Sequence, residues 1–282
     1  MYRIDDDALQ AAIHQNVQAA LSEDIGNEDI TSELIQPDTQ AQATLISREP
    51  AVMCGQPWVT AVFAQVDPDV RIDWQVSEGS TIAANDVLAV FRGRARSLLS
   101  GERAALNFVQ MLSATATLTA QMTALLTGTQ TRLLDTRKTI PGLRLAQKYA
   151  VSVGGGHNHR LGLFDGYLIK ENHIAACGGI APAIATARQL HPSQCLEIEV
   201  ETPDELRIAL AAEPDMIMLD NFDLEATRAA VEFVAGRVPL ESSGGVNAKT
   251  LRALAETGVD YISMGALTKD IKAIDLSFRL HL

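Results

Sequence analysis

The sequence predicts a mixed α/β protein in which an antiparallel sheet region precedes a barrel of repeated strand–helix units. Residues 43–91 alternate apolar and polar positions in short segments, which is typical of half-buried antiparallel strands. Between residues 131 and 265, short apolar segments recur with helical stretches between them, which indicates βα units and a parallel sheet. Most of these segments end in a polar or charged residue. Because parallel strands end on one face, and that face carries the active site of a βα barrel, the pattern predicts an enzyme.

The N-terminal part begins with apolar residues at helical spacing, which predict a helix over residues 5–21. After the antiparallel region, residues 101–126 predict one long helix. The candidate strands that follow are TRLLD (131–135), GYLIK (166–170), LEIEV (196–200), MIMLD (216–220), VPLES (238–242) and YISMG (261–265). No G-x-G-x-x-G fingerprint or Walker A loop follows any of them.

Charge is distributed unevenly along the 282 residues. The formal net charge is −12, which argues against binding of nucleic acid polymers. Residues 132–173, however, contain seven Lys or Arg against three acids, a local charge of +4. Such a cationic segment in an acidic chain suits a small polyanion. With no signal-peptide pattern and no apolar stretch of membrane-spanning length, we expect a cytoplasmic protein without a membrane partner. We expect its three widely spaced cysteines to be buried, reduced thiols.

Carboxylates cluster in the segment LEIEVE. Alternate residues of a strand share a face, so Glu197, Glu199 and Glu201 are expected together on the interior of the barrel. With Asp220 one strand later, they suggest a site for Mg²⁺ or for hydroxyl groups. The alternative is an exposed edge strand with a solvated acidic face.

Cations cluster in two loops, DTRKTIPGLR (135–144) and VGGGHNHR (153–160). The glycines let the backbone approach a ligand closely, and exposed N–H groups bind anions. Lys170, at the end of another strand, is either a Schiff-base nucleophile or a cation that neutralises phosphate or carboxylate. The small residues of ESSGGV and GALTKD resemble phosphate-binding loops. The residues therefore predict an anionic ligand that carries phosphate and Mg²⁺, with room for carboxylates.

Taken in order, the motifs resemble those of one family. They are EDIG-x-x-DITS (23–32), ER-x-x-LN (102–107), DTRKT-x-PG-x-R (135–144), KYAV-x-x-GGG-x-x-HR-x-x-L-x-D (148–165), LIKENH (168–173), EVE (199–201), LDN (219–221), E-x-SGGV (241–246) and SMGALT (263–268). The family is quinolinate phosphoribosyltransferase. The resemblance implies an N-terminal α/β sandwich domain, here residues 1–110, and an incomplete seven-stranded α/β barrel, here 111–269. Residues 270–282 are expected to pack back on the first domain.

The resemblance also implies the reaction. Quinolinate and phosphoribosyl pyrophosphate would give nicotinate mononucleotide, pyrophosphate and CO₂, with Mg²⁺, in NAD biosynthesis. The implied quinolinate contacts are Arg137, His159 and Arg160, with Thr136 and Lys138 beside them, and Arg103 donated by the other subunit of a homodimer. Lys138 and Lys170 would neutralise the phosphoribosyl end, and Glu199 and Asp220 would engage ribose and Mg²⁺. The residues implied for the 5′-phosphate are Ser243, Gly244, Gly245, Ser263 and Gly265.

Three other functions compete with this hypothesis. One is a phosphoribosyltransferase that acts on a related aromatic acid such as nicotinate without decarboxylation. Another is a Schiff-base aldolase that uses Lys170. The third is a catalytically silent sugar-phosphate binding protein, which the presence of Lys138, Lys170, Glu199 and Asp220 disfavours.

Overall fold

The protein is described by a computed structural model that covers residues 2–282. Met1, the first residue of the expected N-terminal domain, lies outside the described residues. The chain forms two compact units, each discontinuous in sequence. The first contains residues 3–120, 139–155 and 267–282, and the second contains residue 2 with residues 121–138 and 156–266. The continuous domain boundaries expected from the resemblance stay a prediction.

The first unit is built around an antiparallel sheet. Its elements are α1 (Asp6–Ile25), a 3-10 turn (Ser32–Leu34), β1 (Gln40–Ser47), β2 (Ala51–Val52), α2 (Gln56–Val66), β3 (Arg71–Trp74), β4 (Thr81–Ile82), β5 (Val87–Arg94), most of α3 (Ala95–Leu125), α4 (Arg144–Val153) and the last strand, β12 (Leu276–His281). The sheet order is β12-β1-β5-β3, with every neighbouring pair antiparallel. Its core is apolar and includes the fully buried Trp58 and the almost fully buried Phe63 and Phe91.

Helix α2 corrects the prediction of a sheet throughout residues 43–91. Trp58, Val59, Val62 and Phe63 are all buried, and their spacing is that of one helix face. The proline in the first turn fits a helix start. The segment is rich in β-branched and aromatic residues, which favour strands by propensity, and burial of this face against the core overrides that preference. The long helix predicted at 101–126 is present and begins earlier, at Ala95.

The second unit contains a parallel sheet with helices between its strands. Its elements are β6 (Arg132–Leu134), β7 (Tyr167–Ile169), α5 (Glu171–Cys177), α6 (Ile180–Leu190), β8 (Leu196–Val200), α7 (Pro203–Ala211), β9 (Met216–Asp220), α8 (Leu224–Val234), β10 (Leu240–Ser243), α9 (Leu251–Ala255), β11 (Tyr261–Ser263) and, at the division between the units, α10 (Ala266–Lys269). All six predicted strands are present. The expected combination of an N-terminal sheet domain with a parallel α/β domain is therefore confirmed.

The parallel sheet has six strands, in the order β6-β11-β10-β9-β8-β7, where the resemblance implies seven. Next to β6, His157 forms a single parallel bridge with Leu134, so the position of a further strand is reduced to one residue. In the part of the chain that is described, no ladder joins β6 to β7, and the sheet is open at that point.

None of the helices within residues 2–282 combines the length and the apolar character that crossing a bilayer requires. The three cysteines are free thiols, as predicted, but only Cys54 is buried. Cys177 and Cys195 are exposed, which corrects the expectation that all three are buried. Both lie beside loops of the second unit, Cys177 at the last residue of α5 and Cys195 just before β8.

Candidate active site

The charged side chains of the parallel sheet lie on one of its faces. Glu199 on β8 pairs with Met218 on β9, and Asp220, two residues after Met218, pairs with Ser243 on β10. Because alternate residues of a strand share a face, Glu199 and Asp220 lie on the same face in adjacent rows. By the same registers, the face also contains Lys170, Glu197, Glu241 and Ser263. The opposite face is represented by Ile198, Val200, Leu219 and Ile262, all fully buried. The prediction that alternate glutamates share one face is confirmed for Glu197 and Glu199. Glu201 is exposed beyond the end of the strand.

The polar face lines the inside of a curled sheet. His159 follows the residue that bridges to β6, yet its Nε2 lies 2.7 Å from Oε2 of Glu197 on β8. In a flat sheet, four strand spacings between β6 and β8 would separate these elements by about 19 Å. The contact is therefore possible only because the sheet curls strongly, and this curling puts polar residues of distant strands into one interior.

Asp135 clamps the two cationic loops together. Its fully buried carboxylate accepts hydrogen bonds from Asn158 Nδ2 at 2.7 Å and from the His159 backbone N–H at 2.9 Å. The backbone reinforces this clamp, because the Asp135 N–H donates to the carbonyl of His157. The loop that carries Arg137 is thereby fixed beside the loop that carries Arg160.

The two arginines of these loops retain unused hydrogen-bond donors. Arg160 is 7% exposed, and its Nη1 donates to the Gly166 carbonyl at 3.0 Å. Within residues 2–282, the buried Nε atoms of Arg137 and Arg160 have no hydrogen-bond partner. Burial, and then the positive charge of Arg137, hold the pKa of Arg160 below its usual range. Two adjacent cations with buried, unsatisfied donors are costly unless an anion binds between them.

His159 is committed to hydrogen bonds within the protein. Its Nδ1 accepts from the backbone N–H of Arg160 at 2.8 Å, so Nδ1 carries no proton. In the neutral ring the proton is then on Nε2, which donates to Glu197. Direct contact of this ring with a substrate carboxylate, as the resemblance implies, would require one of these hydrogen bonds to break.

A second carboxyl, that of Glu241, lies beside His159 and Glu197. Glu241 Oε2 is 3.5 Å from the histidine Nε2, and burial raises the pKa of both Glu197 and Glu241 to about 8. His159, Glu197 and Glu241 are close enough to hold a metal ion. Because Nε2 carries the ring proton, however, it has no lone pair for a metal. The hydrogen bond between His159 and Glu197 therefore takes the place of a metal contact in this cluster.

The remaining predicted groups lie at the ends of the other strands. Lys170 forms an ion pair with Glu199, whose side chain is 8% exposed. This contact occupies the amino nitrogen that a Schiff-base nucleophile needs free, so the geometry disfavours the aldolase hypothesis. Asp220 Oδ2 accepts from the side chain of Asn221 at 2.8 Å.

Gly244 and Gly245 directly follow strand β10, and their backbone conformations favour glycine. Both residues have positive φ, +99° and +59°. A Cβ at Gly244 would lie 2.8 Å from Cγ of Asn221 and 3.0 Å from its backbone N, so this turn packs directly against the loop that follows Asp220. Ser263, at the end of the adjacent strand β11, is buried. The two loops predicted to bind phosphate therefore follow neighbouring strands.

Comparison with known proteins identifies the family. Residues 115–279 match the quinolinate phosphoribosyl transferase C-terminal domain, and residues 29–113 match the N-terminal domain of the same family. The chain belongs to the quinolinate phosphoribosyltransferase family. It is 41% identical over 256 residues to the probable nicotinate-nucleotide pyrophosphorylase (carboxylating) of Bacillus subtilis, covering 90% of this chain and 89% of that protein. It is 38% identical over 280 residues to the Mycobacterium leprae protein of the same name, covering 97% and 96%.

Solved structures agree with this assignment to the quinolinate phosphoribosyltransferase family. The structure of the nicotinate-nucleotide pyrophosphorylase from Francisella tularensis superposes with a TM-score of 0.94 at 48% identity. The superposition covers 96% of this chain and 97% of that one.

Several structural residues of this family member were missed in the sequence. In the sequence, Asp135 is marked only as the end of a strand, and Glu241 only as part of a motif. No sequence pattern marks Tyr2, whose ring stacks on His159 with a centroid distance of 6.3 Å. Only the aspartate at the start of DTRKT offers a sequence signal, because a carboxylate beside three cations stands out. Arg103 lies on α3 in the first unit, with its side chain 57% exposed.

Proposed function

We propose that this protein transfers the phosphoribosyl group of phosphoribosyl pyrophosphate to quinolinate with loss of CO₂, giving nicotinate mononucleotide and pyrophosphate in NAD biosynthesis. The observation that carries the proposal is the pair of buried, unpartnered Nε atoms of Arg137 and Arg160. A dicarboxylate supplies acceptors for both. The names of the Bacillus and Mycobacterium relatives describe the same chemistry.

At the quinolinate end, Arg137 and Arg160 bind the carboxylates, with Thr136 and Lys138 beside them. The planar guanidinium donates two parallel hydrogen bonds to a carboxylate. These hydrogen bonds orient the pyridine ring of quinolinate and also offset the negative charge of the carboxylate. The ring nitrogen attacks the anomeric carbon as pyrophosphate leaves, and the ring becomes cationic. Loss of the carboxylate next to this nitrogen as CO₂ leaves a carbanion that the adjacent positive charge stabilises, and a proton from water then converts this carbanion to the C–H of nicotinate mononucleotide. No covalent enzyme intermediate is required.

At the donor end, the ion pair of Lys170 with Glu199 orients both groups toward the ribose and its phosphates. Asp220 is fixed by Asn221 and binds a ribose hydroxyl. The residues proposed to hold the 5′-phosphate are Ser243, Gly244, Gly245, Ser263 and Gly265. Positioning and charge are the main sources of catalysis in such a site.

Mg²⁺ fits the residues present. Glu199 and Asp220 are carboxylates on adjacent strands and on the same face, and Mg²⁺ commonly takes one or two protein carboxylates with substrate phosphates and water as its other ligands. We propose that these two residues hold it. When bound, Mg²⁺ offsets the negative charge that develops on the leaving pyrophosphate.

We also propose a homodimer in which Arg103 completes the quinolinate site of the partner subunit, and a cytoplasmic location. The exposure of the Arg103 side chain supports the proposal that it completes the site of the partner subunit. Mixing the inactive variants Arg103→Ala and Lys138→Ala tests it, since a mixed dimer regains one intact site. Activity that is not regained after subunit exchange argues against shared sites.

The test of function is one assay. Purified protein is incubated with quinolinate, phosphoribosyl pyrophosphate and Mg²⁺, and nicotinate mononucleotide and CO₂ are followed, with nicotinate in place of quinolinate as the control. Product from quinolinate alone supports the proposal. Product from nicotinate alone favours the non-decarboxylating alternative, and product from neither acid with a folded protein overturns the function.

A further inference from the structure

Tyr2 connects the two sides of the opening in the parallel sheet, and it belongs to the same compact unit as that sheet. On the β6 side, its backbone forms an antiparallel bridge with Asn158, the residue after the bridge from His157 to β6. On the β7 side, its ring packs against Gly166, the residue before β7. A Cβ added to Gly166 would overlap the Tyr2 hydroxyl and lie 2.9 Å from Tyr2 Cζ.

The ring of Tyr2 also stacks on His159. The two rings are nearly parallel, with an interplanar angle of 23°, and their centroid distance of 6.3 Å is within the range of stacked aromatic pairs. Because the backbone bridge holds Tyr2 beside Asn158, the ring lies over the neighbouring imidazole. The orientation of His159 is therefore restrained by this stack as well as by its hydrogen bond to Glu197.

Arg160 is held by two acceptors, and Tyr2 contacts both residues that supply them. The backbone N–H of Arg160 donates to Nδ1 of His159 at 2.8 Å, and the guanidinium Nη1 donates to the carbonyl of Gly166 at 3.0 Å. The Tyr2 ring stacks on the first of these residues and packs against the second. Loss of the ring would therefore free both acceptors to shift, and with them the buried Nε that we assign to quinolinate.

The ring of Tyr2 contributes more to these contacts than the hydroxyl does. The hydroxyl lies beside the thiol of Cys195, just before β8. A thiol is only a weak hydrogen-bond partner. The stack on His159 requires the ring alone, so a phenylalanine at this position would retain it.

We propose that Tyr2 is a positioning residue of the quinolinate site: its ring, stacked on His159 and packed against Gly166, fixes the two acceptors of Arg160 and so sets the direction of the guanidinium. This inference rests on the proposed function. It predicts that loss of the ring weakens quinolinate binding and spares the donor, because the two carboxylates assigned to the donor are held by other side chains.

The test compares Tyr2→Ala and Tyr2→Phe with the wild type. Quinolinate binding is measured by calorimetry without donor, and the KM for phosphoribosyl pyrophosphate is measured separately. We expect the quinolinate affinity of Tyr2→Ala to fall about threefold to tenfold, the factor to which the energy of one aromatic pair corresponds. The donor KM of Tyr2→Ala and the quinolinate affinity of Tyr2→Phe should both stay within about twofold of the wild type, since neither depends on what the substitution removes.

Tyr167→Ala is the matched control. Tyr167 also pairs with a histidine, His191, at a ring centroid distance of 6.0 Å, but its place in the register puts it on the face opposite to Glu197. This variant loses a similar ring pair and leaves the contacts of Tyr2 intact. Its quinolinate affinity should equal that of the wild type.

Gly166→Ala provides a second measurement with Tyr2 present. The added Cβ would overlap the Tyr2 ring, so this variant should also weaken quinolinate binding and spare the donor. In the Tyr2→Ala background the space is free, and Gly166→Ala should cost little more. Such non-additivity is the signature of direct contact. Should Tyr2→Ala not fold in urea titrations, Gly166→Ala and Tyr2→Phe carry the test.

Three results overturn the inference: an unchanged quinolinate affinity in both Tyr2→Ala and Gly166→Ala, equal losses for quinolinate and donor, or a loss in Tyr2→Phe as large as in Tyr2→Ala. Additive effects of Tyr2→Ala and Gly166→Ala overturn the packing on which it depends. Failure of the wild type to bind quinolinate overturns the proposed function instead.

Discussion

Replacing Gly244 with alanine tests the loop that we assign to the 5′-phosphate. The residue has φ of +99°, which costs an alanine about 1–2 kcal/mol. The new Cβ would also lie 2.8 Å from Cγ of Asn221 and 3.0 Å from its backbone N. Relief of such overlap typically costs about 1–3 kcal/mol. We therefore expect Gly244→Ala to lower the free energy of unfolding by about 2–5 kcal/mol, the sum of both terms.

Gly245→Ala is the matched control for stability. Its φ is +59°, and nothing lies within 4 Å of the position of its Cβ, so it carries the conformational cost alone. Urea unfolding of the two variants should therefore differ by about 1–3 kcal/mol, which is the cost of the overlap. Equal free energies of unfolding would refute the packing argument.

The same overlap has a functional consequence. Asn221 holds Asp220 through a 2.8 Å hydrogen bond, so a displaced Asn221 also displaces the carboxylate that we assign to the ribose. We expect the KM for phosphoribosyl pyrophosphate to rise at least tenfold in Gly244→Ala, while quinolinate affinity, measured without donor, changes less than twofold. A loss of quinolinate affinity as large as the loss of donor use would contradict the assignment of this loop.

The other predictions concern charge. Arg137→Ala should weaken quinolinate binding by about 2–4 kcal/mol in calorimetry, since it removes a buried charge-assisted contact, with donor KM nearly unchanged. Glu199→Ala should raise the donor KM and spare quinolinate binding; equal effects of both substitutions on both substrates would contradict this division. Chelation of Mg²⁺ should abolish turnover but not quinolinate binding, and restored Mg²⁺ should recover the rate. Burial raises the pKa of Glu197 and Glu241 above the unfolded value, so their stabilisation is complete below about pH 4.5 and is lost as pH rises to about 8. In urea unfolding, Glu241→Gln should make this decline shallower by up to about 1.4 kcal/mol per pH unit, and parallel curves would contradict it.

Local pattern predicted most of the fold. The six parallel strands and the opening helix follow from the spacing of apolar residues, which depends only on residues close together in the sequence. The prediction failed at α2, where Trp58 and Phe63 favour strand by propensity and only their burial against the core selects the helix. In place of the expected seventh strand, the structure has a single bridge at His157, because the glycines before this residue do not form a regular strand.

The sequence could predict which polar residues lie at the ends of the parallel strands, but not the contacts among them. Arg137, Lys170 and Glu199 follow or end strands whose C-termini share one face, and sequence order alone implies this. The expected contact of His159 with substrate depends on its two ring nitrogens, and no local pattern reveals which groups occupy them. Asp135 likewise resembles an ordinary strand end until the loop of residues 157–160 lies beside it.

The sequence by itself determined the family, the order of the strand–helix units and the polar ends of the strands, because these properties depend on residue type and short spacing. Only the tertiary structure decided that Glu197, Glu241 and His159 meet. These residues belong to segments far apart along the chain, and curling of the sheet brings their side-chain nitrogen and oxygen atoms within 4.8 Å of one another. In the low-dielectric interior that this curling creates, two carboxyls cannot readily both ionise, and the charge of the site is set by that contact.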